Sequence, residues 1–138
     1  MKLARVLITA ASLLMAAVAA QAQEENCQYK LMATNKTSTM QKEMNEAAAA
    51  GFRFVGVMGG ETSFGGQEVV VIAERCPGAD QKDRYQYKLQ ATQKTGTMQK
   101  ELQQAGDAGF GFVGVTVAST TLGGSELVVI TRRPRGTQ

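Results

Sequence analysis

The chain contains the same segment twice. Residues 28–76 and 86–134 align without a gap at a spacing of 58 residues, and about 29 of the 49 aligned positions are identical. Internal repetition of this length indicates two similar folding units. It constrains the fold more than any other feature of the sequence, because a position that stays apolar in both copies marks a candidate core residue.

The first 22 residues have the features of an export signal. Lys2 and Arg5 precede an apolar stretch over residues 6–18, and Ala20-Gln21-Ala22 supplies a cleavage site. We expect cleavage after Ala22, which would place the protein in the periplasm or outside the cell. The alternative is an uncleaved anchor, but the apolar stretch is shorter than the ~20 residues of a bilayer span. We expect no transmembrane span after signal cleavage.

Charge argues against a nucleic-acid partner. The chain has 15 basic and 12 acidic residues, and removal of residues 1–22 takes two of the basic ones, which leaves a formal charge of about +1. Nucleic-acid binding requires a basic face that displaces counterions from phosphates. Basic residues cluster only at Arg132, Arg133 and Arg135, so we interpret residues 135–138 as a solvated basic tail.

Alternation marks the first strand of each repeat. One side of this strand carries residues that are apolar in both copies: Tyr29, Leu31 and Ala33. On the other side Met32 is replaced by Gln90 in the second copy. A period of two with one apolar side is typical of a half-buried strand. The pattern therefore predicts that the tyrosine-bearing side faces the core.

A helix follows the first strand. Small and apolar residues recur there at helical spacing: Met40, Met44, Ala47 and Ala48. We expect Thr39 and Thr97 to be the N-caps, because the residue before Thr97 is the helix-averse Gly96. Gly51 and Gly109 are expected to end the helices in the left-handed conformation.

Two further strands complete each repeat. In the first copy they are expected at residues 52–58 and 68–75, separated by a glycine-rich segment. The last strand is apolar at residues 69–73, which is the pattern of a strand covered on both faces. We therefore expect it to be the central strand of its sheet.

The two cysteines define the order of the strands. Cys27 stands just before the first strand and Cys76 just after the third, and an exported chain meets an oxidising compartment. We predict a disulfide between them, which makes these strands antiparallel neighbours and gives the order first, third, second. A metal site is the alternative, but two thiols in a chain without histidine supply too few soft ligands.

The predicted fold is α+β: two β-α-β-β repeats, each a three-stranded sheet of order 1-3-2 with one helix. They occupy residues 28–76 and 85–134, with a short N-terminal segment at 23–27 and a linker at 77–84. One helix covers one face of a sheet, and a unit of about 50 residues buries little surface by itself. We expect the repeats to pair as a pseudo-twofold, two-layer or barrel-like assembly. Exchange of a repeat between chains would give a homodimer, and the sequence leaves this open.

Three stretches of each repeat carry a family resemblance. In the first copy they are Tyr29-Lys30-Leu31, residues 50–57 (AGFRFVGV) and residues 68–75. They resemble the bacterial domain of unknown function 4177, which implies this fold and no established activity. The chain departs from the family pattern where Phe52 and Phe110 replace the commoner tryptophan, and where Arg53 and Gly111 replace an acidic residue.

The sequence offers little catalytic chemistry. It has no histidine, so it has no Ser-His-Asp or Cys-His arrangement, and we expect no catalytic residue, no metal and no cofactor. Glu43 and Glu101 occupy matching positions and are candidates for an acid–base pair that faces a cleft with Tyr87. Solvation of the helix surface is the simpler interpretation of both carboxylates.

The glycine-rich segments are candidate binding loops. Phe64 and Leu122 place an apolar side chain in each. A phosphate loop is disfavoured because a strand follows each segment instead of a helix. We favour a non-catalytic exported module that binds a protein or envelope component through these loops or a sheet edge. The alternative is a small enzyme or ligand carrier with a cleft between the repeats.

Overall fold

A computed structural model describes residues 26–61, 67–78, 84–119 and 124–136 of the 138-residue chain. Each repeat has the order strand, helix, strand, strand, as the sequence predicts. The elements are β1 (Gln28–Thr34), α1 (Thr37–Ala49), β2 (Arg53–Glu61), β3 (Gln67–Arg75), β4 (Tyr85–Thr92), α2 (Thr95–Asp107), β5 (Gly111–Ser119) and β6 (Ser125–Pro134). The expected signal, residues 1–22, lies outside the described residues.

The strands form two antiparallel three-stranded sheets. Their orders are β1-β3-β2 and β4-β6-β5, so the most apolar strand of each repeat is central, as predicted. The second strand of each sheet has a register shift at the same place, between Phe54 and Gly56 and between Phe112 and Gly114. The barrel-like alternative is not formed, because the two sheets stay separate.

The predicted disulfide is confirmed. The sulfur atoms of Cys27 and Cys76 are 2.01 Å apart, and the Cα atoms are 4.1 Å apart. The bond extends the β1–β3 ladder, in which Gln28 lies opposite Arg75. At the equivalent place in the second repeat, Tyr85 lies opposite Pro134 without a covalent link. The link therefore holds the first repeat alone.

The helices end as expected. Gly51 and Gly109 adopt φ values of 92° and 84°. The N–H of Phe52 donates to the carbonyl of Ala47 at 2.9 Å, and the N–H of Gly51 donates to that of Ala48 at 3.0 Å. These paired bonds form a Schellman motif, which satisfies carbonyls of the last turn and needs a left-handed residue. The second repeat has the same motif.

The predicted N-caps are wrong. The helices begin at Thr37 and Thr95, three residues earlier than N-caps at Thr39 and Thr97 would place them, so Thr39 lies inside the first turn of α1. The N-cap residue, Lys36, makes no side-chain cap hydrogen bond. Its N–H instead donates to the hydroxyl of Thr34 at 3.2 Å, and this local bond turns the chain from strand into helix. Gly96 therefore lies in the first turn of α2, although glycine is a weak helix former.

An arginine at the end of each central strand ties the helix to the sheet. In the first repeat Arg75 donates from Nε to Gln28 Oε1 at 3.1 Å and from Nη1 to the carbonyl of Ala50 at 2.9 Å. Its guanidinium lies 4.7 Å from the centroid of the Phe52 ring. Arg133 makes the same three contacts in the second repeat. A cation at a helix C-terminus also interacts favourably with the helix dipole.

Each sheet has a helix face, which its own helix covers in part, and a reverse face. In the first sheet Met32 and Val71 lie opposite each other on the helix face and are buried. Tyr29 and Leu31 lie on the reverse face and are 68% and 66% exposed. The prediction that their side of β1 faces the core is therefore wrong in the first repeat. The equivalent Tyr87 is 2% exposed, so the same pattern is correct in the second.

The two repeats pack together through a one-sided contact. Helix α1 lies against β4, and β2 lies against β5, so the reverse face of the second sheet is covered by the first repeat. The contact expected from a twofold, α2 against β1, is not formed to a comparable extent in the described residues. The pairing of two similar units is as predicted, but the contacts between them depart from twofold symmetry.

Among the described residues, the helix face of the second sheet buries two polar side chains, Gln90 and Thr131. Gln90, the equivalent of Met32, lies beneath α2 and donates from Nε2 to the carbonyl of Glu101 at 3.0 Å. Its Oε1 is buried without a hydrogen-bond partner among the described residues. A buried acceptor without a partner loses its hydrogen bonds to water and gains none in the protein, which lowers the free energy of unfolding.

We expect Gln90→Met to raise the free energy of unfolding by about 1–2 kcal/mol, because methionine removes the unpaired acceptor and the first repeat already fits methionine there. Urea unfolding followed by circular dichroism measures the change. The reverse substitution, Met32→Gln, is the matched control and should lower stability. A less stable Gln90→Met variant would show that the amide is satisfied in solution.

The disulfide gives a second prediction. Its two cysteines are separated by 49 residues, and closing a loop of this length stabilises a fold by about 4 kcal/mol on the chain-entropy model. Cys27→Ser/Cys76→Ser should lose about this amount, with β2 and β3 more exposed to hydrogen exchange than β5 and β6. Equal loss of protection in both repeats would contradict the assignment of the link to the first repeat alone.

Candidate binding surface

The most distinctive surface of the molecule is the reverse face of the first sheet. Several large apolar side chains of this repeat are exposed together: Tyr29, Leu31, Met58 and Ile72, with Val55 at the neighbouring bulge. We call the first four the open face. Ile72 is 40% exposed, whereas its equivalent in the second repeat, Ile130, is fully buried. Contiguous exposed apolar side chains of this kind mark interaction sites in folded proteins.

The second repeat shows how such a face is covered. An added Cβ on Gly114 would lie 2.8 Å from Cζ of Phe54 and 3.0 Å from Cγ1 of Val57, so the missing side chain leaves room for both apolar groups. Further along, a Cβ on Gly59 would lie 2.1 Å from the carbonyl oxygen of Val117. The first repeat therefore packs against this face at backbone distance, and glycine is required on both sides.

Hydrogen bonds align the two repeats. The hydroxyl of Tyr87 accepts the N–H of Phe54 at 2.9 Å. The amide side chain of Asn45 on α1 donates to the carbonyl of Tyr87 at 3.0 Å and accepts its N–H at 2.9 Å. Gln41 Oε1 accepts the N–H of Leu89 at 3.0 Å. Two side chains of α1 thus complete the outer edge of β4 as a neighbouring strand would.

The open face borders a sheet edge of the same kind. Within the described residues β1 pairs with β3 and forms the edge of its sheet. Tyr29 and Leu31 are the equivalents of Tyr87 and Leu89, whose peptide groups bond to α1 in the second repeat. The first repeat therefore presents an apolar sheet face together with an edge that accepts main-chain hydrogen bonds.

A charged pair lies at the rim of the open face. Arg53 Nη2 donates to Glu74 Oε1 at 2.8 Å, and this hydrogen bond is the main cause that raises the pKa of Arg53. The Glu74 carboxylate also lies within 4.8 Å of the sulfur atoms of Cys27 and Cys76. Because those sulfur atoms are bonded to each other, they are not thiolate ligands, and the trio does not form a metal site in the oxidised protein.

The residues proposed from the sequence fall in three places. Phe64 and Leu122 lie outside the described residues. Glu43 and Glu101 lie at equivalent, half-buried positions of α1 and α2, and their acid–base role stays a prediction. Tyr87 lies where the two repeats meet, and its role as a binding residue stays a prediction. Its ring is buried, and its hydroxyl serves the packing of the two halves.

Sequence reasoning missed the open face because identical residues occupy both copies. Tyr29 and Leu31 recur unchanged in the second repeat, so the pattern gives no reason to treat the first pair differently. A weak signal was present at the far end of the strands. Met58 and Gly59 become Thr116 and Val117, which changes polarity and size directly after a run of four identical residues.

Comparisons with known proteins add no identification. Neither the family models, nor the curated proteins, nor the solved structures compared with the chain give a match. The similarity to the domain of unknown function 4177 therefore stays a hypothesis. Among the described residues no helix is long and apolar enough to cross a membrane.

The hydroxyl of Tyr87 gives a test of the contact between the repeats. Tyr87→Phe leaves the N–H of Phe54 without its partner at a part-buried position, so we expect a loss of about 1–2 kcal/mol in the free energy of unfolding. Tyr29→Phe is the matched control, because that tyrosine is exposed, and its effect should be close to zero. Urea unfolding measures both variants. Equal effects would contradict the one-sided contact.

Proposed function

We propose that the chain is an exported, non-catalytic module that binds a protein or envelope component through the open face. One observation carries this proposal: Tyr29, Leu31 and Ile72 are exposed on the first sheet, while on the second sheet the equivalents Tyr87 and Ile130 are buried and Leu89 is partly buried. The second copy of this surface is used for a contact between the repeats, which supports a role of the first copy in protein contact.

The shape and chemistry of the open face favour a polypeptide partner. It is one face of a β-sheet, its centre is apolar, and the Arg53–Glu74 pair lies at its rim. Apolar centres with polar rims are typical of protein interfaces. The adjacent edge of β1 adds main-chain groups that a partner strand or helix side chain can bond.

The disulfide supports export. A bond between Cys27 and Cys76 persists in oxidising compartments and is rare in the reducing cytosol. Residues 1–22 supply the charged, apolar and small-residue segments of an export signal. We therefore propose a periplasmic or secreted location, and we retain membership in the domain of unknown function 4177 as a proposal for the family.

The alternative, an enzyme or carrier with a cleft between the repeats, has less support. The region that would form the cleft is where Phe54 packs over Gly114 and where Gly59 meets the backbone of Val117. Tyr87 is the candidate ligand contact, but its hydroxyl, its N–H and its carbonyl oxygen all form hydrogen bonds with the first repeat.

The test is expression of the tagged full-length chain in its own host. We expect the periplasmic or secreted fraction to contain a product that starts at Gln23 and gains two hydrogen atoms on reduction. Native mass spectrometry of this product should show a bound polypeptide. In Tyr29→Ser/Leu31→Ser the bound polypeptide should be lost, because the apolar centre of the open face is removed.

A control variant separates this effect from a general change of the surface. Lys42 and Glu46 lie on the exposed side of α1, and Lys42→Ser/Glu46→Ser should keep the partner. A small molecule that stays bound in the Tyr29→Ser/Leu31→Ser variant would favour the cleft alternative. Retention of the product in the cytosol with free thiols would overturn the export proposal.

A further inference from the structure

The molecule has a second exposed apolar surface, at the opposite end of the stack of sheets. It lies on the helix face of the second sheet and consists of three side chains of β5: Phe112, Val115 and Val117. We call it the β5 patch. Phe112 is 63% exposed, although its equivalent in the first repeat, Phe54, packs against the core. Each repeat therefore exposes an apolar surface whose equivalent in the other repeat is covered.

The two exposed surfaces are the two halves of one contact. Inside the chain, the Phe54 side of the first repeat packs on the reverse face of the second. The β5 patch is the equivalent, in the second repeat, of the Phe54 side of the first repeat. The open face is the equivalent, in the first repeat, of the reverse face of the second sheet. Such a contact is heterologous, so an assembly built from it leaves one unused surface of each kind unless it closes into a ring.

We propose that the open face of one molecule binds the β5 patch and α2 of a second copy of this chain, head to tail. This inference rests on the proposed binding role of the open face and names its occupant. The internal contact between the repeats serves as the template, because about 29 of 49 aligned residues are identical in the two copies.

Glycine positions support the match. Gly114 leaves room for the ring of Phe54 in the internal contact. Its equivalent, Gly56, borders the open face, and a Cβ added there would have no atom within 4 Å in the described residues. By the template, this is the place that the Phe112 ring of the second copy would occupy.

Polar groups for the same alignment are also present. Gln99 and Gln103 on α2 stand where Gln41 and Asn45 of α1 bond the edge of β4. Both are exposed, and Gln103 bonds Asp107 of its own helix in a contact that water replaces readily. They can bond the peptide groups of Tyr29 and Leu31 at the edge of β1, as the amides of α1 bond those of β4.

The contact between copies must differ from the internal contact in one place. The residues on both sides of the contact are different there. In the internal contact the N–H of Gly59 donates to Thr116 Oγ1 at 2.7 Å. In the contact between copies, Val117 replaces the glycine and Met58 replaces the threonine. Both replacements are larger and apolar, and both are exposed. The contact between copies therefore exchanges a close polar approach for a wider apolar one.

The test uses the disulfide-bonded chain without its signal, residues 23–138, in sedimentation equilibrium over a dilution series. The wild type should form dimers or larger species as its concentration rises. Tyr29→Ser/Leu31→Ser removes the open face and Phe112→Ser/Val115→Ser removes the β5 patch, so each variant alone should stay monomeric. An equimolar mixture should give a one-to-one dimer, because each variant keeps the surface that the other lacks.

This mixture separates the head-to-tail contact from a symmetric one. If two open faces bound each other, the Phe112→Ser/Val115→Ser variant would still dimerise and the mixture would contain no mixed dimer, which would overturn the inference. A wild type that stays monomeric throughout the series would also overturn it. The proposed function would survive that result if the open face were still needed to retain a different polypeptide in the host.

A single substitution tests the fit of the contact. Gly56→Val fills the space assigned to the Phe112 ring and should weaken association by about tenfold or more, which corresponds to about 1.4 kcal/mol. Gly136→Val is the control, since a Cβ there also meets nothing within 4 Å and the residue lies beyond β6, outside both surfaces. It should leave association unchanged. Equal effects of the two substitutions would contradict the template.

Discussion

Burial of the second sheet's reverse face against the first repeat is the interaction on which the rest of the structure depends. A β-α-β-β unit of about 50 residues has one helix and two apolar sheet faces, and it cannot cover both by itself. In this protein α1 solves part of the problem for both sheets. It lies on its own sheet and also bonds the edge of β4 through Gln41 and Asn45.

The double use of α1 explains the unequal burial of the two helices. Met44 of α1 is buried, whereas its equivalent in α2, Leu102, is only half-buried. Ala48 is buried, and the corresponding Gly106 is exposed. Two helices of nearly the same sequence thus occupy different environments, because one lies between two sheets and the other lies on the outside.

The sequence was sufficient for features that depend on local chemistry or on a covalent link. Cys27 and Cys76 gave the strand order, and Gly51 and Gly109 gave the helix ends, since left-handed backbone strongly favours glycine. The helix starts were missed because the hydroxyl of Thr34 acts before the helix rather than at its cap. Sequence patterns seldom distinguish these two uses of a threonine.

The candidate surface was not predictable in the same way. Burial of Tyr29 or Tyr87 depends on which repeat lies on which side of the other, and residues shared by both copies contain no information on that choice. Contact across a packed interface is a property of the arrangement of whole units. Only positions that differ between the copies, such as Gly59 and Val117, could have indicated that the two repeats use different surfaces to contact each other.

The disulfide belongs to the repeat that the ribosome makes first. Cys27 and Cys76 both precede β4, so the ring they close contains no part of the second repeat. Domains generally fold as units from the N-terminus during synthesis. Under oxidising conditions the first repeat can therefore lock its three strands in their final order without any contribution from the second repeat, which then packs against a preformed partner.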